Sequence, residues 1–292
     1  MVGTMHSKNG LRLFFLFLLL FTALFDGLLL YTQSSTILFL INGFFVMWVP
    51  AMASGVARLL NREDWHDLSF RWRTRPIGIA CLLAILFPLV IGFLAYGTAW
   101  ITHLTPLLPF HATGDLEDVM EVAAPFAPSA GPTLLLLQVG ITLLLTIISV
   151  VAAAGEEIGW RGYMLPRMIE GKVPGAIIIS GLIWSLWHWP QILFSPPIAG
   201  MPQIVTASIF LVTITALGCV SAWLRLHSGS MWPPIILHAA WNIIIVELFN
   251  DFTQGVDTSL WTGEPGILVA GTMVLVVGLL AITRVKGSMT SK

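Results

Sequence analysis

Apolar residues run along this chain in blocks of about twenty, separated by short polar breaks, and they neither alternate nor keep to one helical face. Crossing a bilayer as a helix takes about 20 such residues. Eight blocks qualify: 11–31, 36–57, 77–101, 133–155, 175–194, 203–224, 231–249 and 265–283. Inside lipid each backbone N–H and C=O must be satisfied within its own segment, so these blocks are expected to be helices. The period-two alternation of an outer-membrane barrel is missing. The pattern predicts an all-α polytopic membrane bundle of about eight transmembrane helices.

Charge orients the bundle. Lys8 and Arg12 flank the first block; Arg58, Arg62, Arg71, Arg73 and Arg75 lie between the second and third. Arg161, Arg167 and Lys172 follow the fourth, Arg225 the sixth, and Arg284, Lys286 and Lys292 the eighth. Segments 32–35, 102–132, 195–202 and 250–264 hold no Lys or Arg; their acids are Asp115, Glu117, Asp118, Glu121, Asp251, Asp257 and Glu264. Because basic loops stay inside, both termini and the even-numbered loops are assigned to the cytoplasm of a cell-membrane protein. A mean hydropathy of +0.88 excludes a soluble domain. A net charge of -1 argues against nucleic acid as a partner. The first block is too long for the apolar core of a signal peptide. Asp26 interrupts it and is expected near the outer helix end or against a neighbour.

No linker-like segment divides the chain, which reads as one membrane domain over 1–292. Within it, residues 1–132 supply scaffold spans and a Pro-rich acidic loop (102–132), a possible cap. Residues 133–250 hold the suspicious polar groups, and 251–292 the last span and tail. Cys81 and Cys219 lie in apolar blocks without metal-type spacing and read as packing residues. Phosphate-loop patterns and repeats are absent.

Three helices carry polar groups that hydrocarbon does not tolerate without reason. The fourth has Glu156, Glu157 and Arg161. Residues four apart share a helix face, which pairs Glu157 with Arg161 and turns Glu156 toward another helix. Gly155 and Gly159 form a small-residue face that lets a neighbour approach closely. The fifth has His188 one turn after Trp184, whose indole can pack on the imidazole, and the seventh has co-facial His238 and Asn242. Each set alone also reads as interhelical glue or a satisfied core residue. Together they complement one another: glutamate with histidine activates water, and histidine with asparagine meets an oxyanion. With no serine or cysteine in a nucleophile-like context, water attack on an amide is the reaction class indicated.

These segments resemble the CAAX protease and bacteriocin-processing (CPBP, or Abi) family of intramembrane endopeptidases, which includes type II CAAX prenyl proteases. The Glu-Glu-x-x-x-Arg motif matches Glu156, Glu157 and Arg161, followed by Gly162. The aromatic-to-histidine motif matches Trp184 and His188, with tryptophan where phenylalanine is more frequent, and His-x-x-x-Asn matches His238 and Asn242. The resemblance implies that Glu156 and His188 activate the water, that His238 and Asn242 hold the oxyanion, and that Glu157 and Arg161 support them. It implies a membrane protein or peptide as substrate, and the depth of these residues in their spans predicts a site open to the cytoplasm.

Zinc at Glu156, His188 and His238 is the alternative chemistry. The missing His-Glu-x-x-His pattern favours catalysis without a cofactor. Two further readings stand beside the protease: a non-enzymatic immunity or assembly factor, and a proton- or solute-coupled transporter. The latter lacks matching broken helices in two halves.

Overall fold

Each of the eight apolar blocks folds as a helix, for reasons that begin with the backbone's need to satisfy itself. The computed structural model describes residues 2–32, 36–72, 75–108, 132–195, 197, 201–253 and 258–290. The long helices are α1 (Val2–Thr32), α2 (Thr36–Asn61), α3 (Arg75–Ile101) and α4 (Pro132–Gly159). A π-helical turn (Trp160–Met164) carries α4 straight into α5 (Leu165–Glu170). Then come α6 (Ala176–Trp187), α7 (Trp189–Phe194), α8 (Gln203–Ser228) and α9 (Trp232–Trp241). A second π segment (Asn242–Leu248), the short α10 (Thr258–Trp261) and α11 (Ile267–Thr290) complete the chain. Among the described residues no strand occurs, and six segments are long and apolar enough to cross a membrane. The outward faces stay greasy: Leu19, Phe93 and Leu275 are 67%, 65% and 68% exposed, as lipid-facing residues should be. The chain is a multi-pass helical membrane bundle.

The fourth helix differs from expectation. Sequence hydropathy ends it near residue 155, but the rod continues to Glu170. Glu156, Glu157 and Arg161 find partners inside the bundle, so they do not force the helix out of the membrane. Glu156 therefore lies 14 residues, or roughly 21 Å, from the rod's end. His188, 13 residues past Gly175, is about as deep, at roughly 20 Å. His238 is only six residues, about 9 Å, above the start of α9. The depths reconcile because α4–α5 reaches beyond the point where α9 begins.

The segments expected on one side of the membrane gather at one end. There Arg167 pairs with Glu63 (2.6 Å) and with Asp67, and Arg58 pairs with Asp67 (2.8 Å). Arg225 donates to the Asp67 carbonyl, Ser7 to Glu170, and Asn9 to Asn61. Burial alone would push the Asp67 carboxyl up, but Arg58 and Arg167 outweigh it and hold the group below the usual carboxylate range. The acid-bearing segments meet at the opposite end: Gln191 donates to Asp26 (3.0 Å), and the Leu108 N–H to the Phe252 carbonyl. Asp26 thus faces a neighbour, as expected. Residues 109–131 of the Pro-rich loop, with Asp115, Glu117, Asp118 and Glu121, lie outside the described residues, as does Asp257.

Two helix pairs touch backbone to backbone. A Cβ at Gly155 would sit 2.8 Å from the Met47 carbonyl and 2.9 Å from Trp48 Cα, and one at Gly159 2.6 Å from the Pro50 carbonyl. The small-residue face on α4 is therefore where α2 docks. Gly181 and Gly218 do the same for α6 and α8, where a Cβ on Gly218 would come 2.7 Å from Gly181 Cα.

Candidate active site

Glu156, Glu157, Arg161, Trp184 and His238 meet where α4, α6, α8 and α9 come together, while His188 and Asn242 make no direct contact with the two glutamates among the described residues. Glu156 and Glu157 occupy adjacent positions but face different partners, as a 100° step around a helix requires. Both are buried. Glu156 Oε2 accepts the indole N–H of Trp160, one turn on (3.1 Å), and that of Trp184 from α6 (2.6 Å). Its other oxygen has no partner among the described residues. Two neutral donors on one oxygen stabilise a buried carboxylate while leaving the second for other work.

Glu157 builds a different set of contacts. Its Oε1 accepts from Arg161 (2.8 Å) and faces His238 Nδ1 (3.2 Å); its Oε2 accepts from Ser221 of α8 (3.1 Å). A carboxylate only accepts, so His238 Nδ1 carries the proton. Arg161 is fully buried, and its guanidinium lies 4.2 Å over the Trp184 ring. The stack, a cation–π contact in a dry setting, ties the Glu157 pair to the residue that serves Glu156.

His188 is partly exposed at the junction of α6 and α7. Its Nδ1 lies 3.0 Å from the Trp184 carbonyl, which can only accept, so the neutral ring keeps its lone pair on Nε2. Trp184 packs edge-on against His188, with centroids 6.2 Å apart, and lies nearer His238, at 5.1 Å. Trp187 takes the nearer place against His188, at 4.8 Å. Asn242 follows His238 by one turn, partly exposed, at the first residue of a π segment. Its carboxamide has no hydrogen-bond partner among the described residues. Both polar motifs thus abut π turns, a helix irregularity common at functional sites.

Among the described residues no three His, Cys, Asp or Glu side chains converge as metal ligands would. Glu156 gives one oxygen to two indoles, and His238 gives Nδ1 to Glu157.

Residues 138–244 contain every one of these groups, and they match the family model described as type II CAAX prenyl endopeptidase Rce1-like. This segment is similar to the CAAX proteases. The protein named CAAX prenyl protease 2 from Methanococcus maripaludis is 32% identical over 99 residues. That alignment covers 32% of this chain and 36% of the relative, so the chain spans about a third of the length of the protein it matches.

The site also uses residues that sequence reasoning passed over. Trp160 could have been found, since it lies four residues after Glu156 on the same face. Ser221 carries the weaker signal of a hydroxyl inside an apolar helix. Glu264, assigned by charge to an outer loop, had none. It accepts from Trp241 (2.7 Å) and stands within electrostatic reach of His188, His238 and Glu156. Burial pushes its carboxyl above the usual range.

Proposed function

We propose that this protein is an intramembrane endopeptidase that hydrolyses a peptide bond of a membrane-associated protein or peptide with water. The observation that carries the reading is the division of labour between two neighbouring carboxylates. Glu156 keeps one oxygen without a described partner, and Glu157 is committed to His238 and Arg161. A water held by the Glu156 oxygen and His188 Nε2 gives up its proton as it attacks the carbonyl carbon. The oxyanion that forms is met by His238 Nε2–H and the Asn242 amide. For His238 to donate from Nε2 while Nδ1–H faces Glu157, the ring must be doubly protonated, a form the Glu157 carboxylate stabilises. Proton return to the leaving amine from the carboxyl or imidazole completes the cycle. No cofactor is assigned a step.

The protein is placed in the cell membrane, with substrate reaching the site from the cytoplasmic side. His238 supports this, being only about 9 Å above the start of α9 at the basic end. The non-enzymatic alternative draws no observation of its own.

The test compares membrane proteomes of cells carrying wild-type protein, Glu156→Gln or His188→Ala. Terminal peptides that appear with the wild type and vanish with both variants are expected, at equal protein abundance. Identical peptide sets would refute hydrolysis by these groups.

A further inference from the structure

Beside His188 lies a cavity of about 250 Å³, walled mainly by apolar surface with a few polar groups, that no step above uses. Its wall is built by Gln191 of α7, Gln203, Thr206 and Phe210 of α8, and Glu264 from the turn before α11. The Phe210 ring is 5.3 Å from the His188 imidazole, so the cavity adjoins the proposed site directly.

The few polar groups in this wall accept more than they donate. Gln191 Nε2 donates to the Asp26 carboxylate (3.0 Å) and Gln203 Nε2 to the Ser195 carbonyl (3.2 Å). Both partners only accept, which fixes the amide orientations and leaves the two carboxamide oxygens without partners among the described residues. Glu264 Oε1 is taken by Trp241, while Oε2 is not. The Thr206 hydroxyl is buried, with the residue 3% exposed, and it too lacks a partner. A buried polar atom left unsatisfied is costly unless something comes to bind it. Three acceptor oxygens and one hydroxyl ask for a group rich in N–H donors. Charge points the same way, because Glu264 lines the cavity, Asp26 holds Gln191 in its wall, and Glu156 lies within electrostatic reach of Glu264.

We propose that this cavity is a specificity subsite holding one Lys or Arg side chain of the substrate, with Glu264 as its selecting carboxylate. The assignment rests on the protease reading, since the group entering beside His188 is then part of the substrate. The apolar stem of the side chain packs on Phe210, and its charged head meets Glu264, Thr206 and the two carboxamide oxygens. The subsite lies toward the end of the bundle that carries Asp26 and Glu264. A substrate entering from the basic end therefore passes the site before its cationic residue is seated.

Binding is read separately from turnover. The full chain carrying Glu156→Gln, in phosphatidylcholine–phosphatidylglycerol nanodiscs, is titrated with acetyl-lysine methylamide and with its uncharged counterpart acetyl-norleucine methylamide, using saturation-transfer NMR. The lysine compound is expected to bind at least tenfold more tightly. Adding Glu264→Gln, which keeps an acceptor for Trp241, removes that advantage, and Thr206→Val reduces it. Equal binding of the two compounds, or an advantage that survives Glu264→Gln, overturns the subsite. In a peptide pool, wild type should cut next to Lys or Arg at one fixed position, and Glu264→Gln should cut without that preference. Unselective cutting by the wild type also overturns the subsite. If wild type cuts no peptide while lysine binding holds, the protease reading fails and the cation site stands.

Discussion

Removing Arg161 tests how the buried charges are held. The Arg161–Glu157 pair is 2.8 Å apart with both side chains fully buried, and Glu157 also faces His238. Charge centres about 4 Å apart attract by about 4 kcal/mol in an environment of intermediate polarity. Desolvation offsets much of that gain, so the pair is worth little net; leaving Glu157 alone in the bundle is what costs. Arg161→Met is therefore expected to destabilise the fold by about 3–5 kcal/mol, the usual loss when one buried partner is removed. Glu157→Leu with Arg161→Met together should cost less than the sum of the single changes, with a coupling of about 2 kcal/mol or more. Arg161→Lys keeps the charge but loses the planar contact with Trp184, and it should fall between. Unfolding of each variant in detergent micelles measures the cycle, and cleavage per folded molecule follows in parallel. Single effects that add to within about 0.5 kcal/mol would refute the reasoning, because they would show that the two groups do not depend on each other.

Other outcomes follow from other contacts. Trp184→Phe removes the 2.6 Å donor to Glu156, a charged hydrogen bond worth about 1.5–3 kcal/mol, so kcat should drop roughly ten- to hundredfold with folding retained. Gly155→Val and Gly159→Val press a side chain into the α2 backbone and should each lower stability by about 1–3 kcal/mol or more, seen as a lower unfolding midpoint. Since the Asp67 pKa is lowered on folding, its stabilisation is fully present above the ordinary carboxylate pKa and is lost as pH falls through the depressed value. Thermal unfolding between pH 3 and 7 should therefore show acid weakening in the wild type that is smaller in Asp67→Asn.

Much of the architecture was legible because hydrocarbon leaves few choices. All eight apolar blocks became helices, and the basic and acidic segments separated to opposite ends of the bundle. Helical spacing correctly paired Glu157 with Arg161 and turned Glu156 to another helix. It could not show that Glu157 reaches His238, because the contact joins residues 81 apart in sequence. Hydropathy also misplaced the end of the fourth helix, because an averaged window treats a self-satisfied polar cluster as a boundary. Trp184 hid its role for a related reason: an indole in an apolar run looks like packing until an acid from another helix meets its N–H. Glu264 was invisible because nothing local marks a loop acid that folds inward against Trp241.

The glycine contacts have a mechanical consequence. Pressed against the α2 backbone with only Trp48 and Pro50 side chains at the contact, α4 travels with α2 as one plate, and α6 with α8 as another. Glu156 rides on the first plate and His188 on the second, joined across the seam by the indole bond from Trp184. Sliding one plate along the other would widen the space between acid and imidazole without bending either. The machinery would thus be dismantled while its cleft stands open and rebuilt as it shuts.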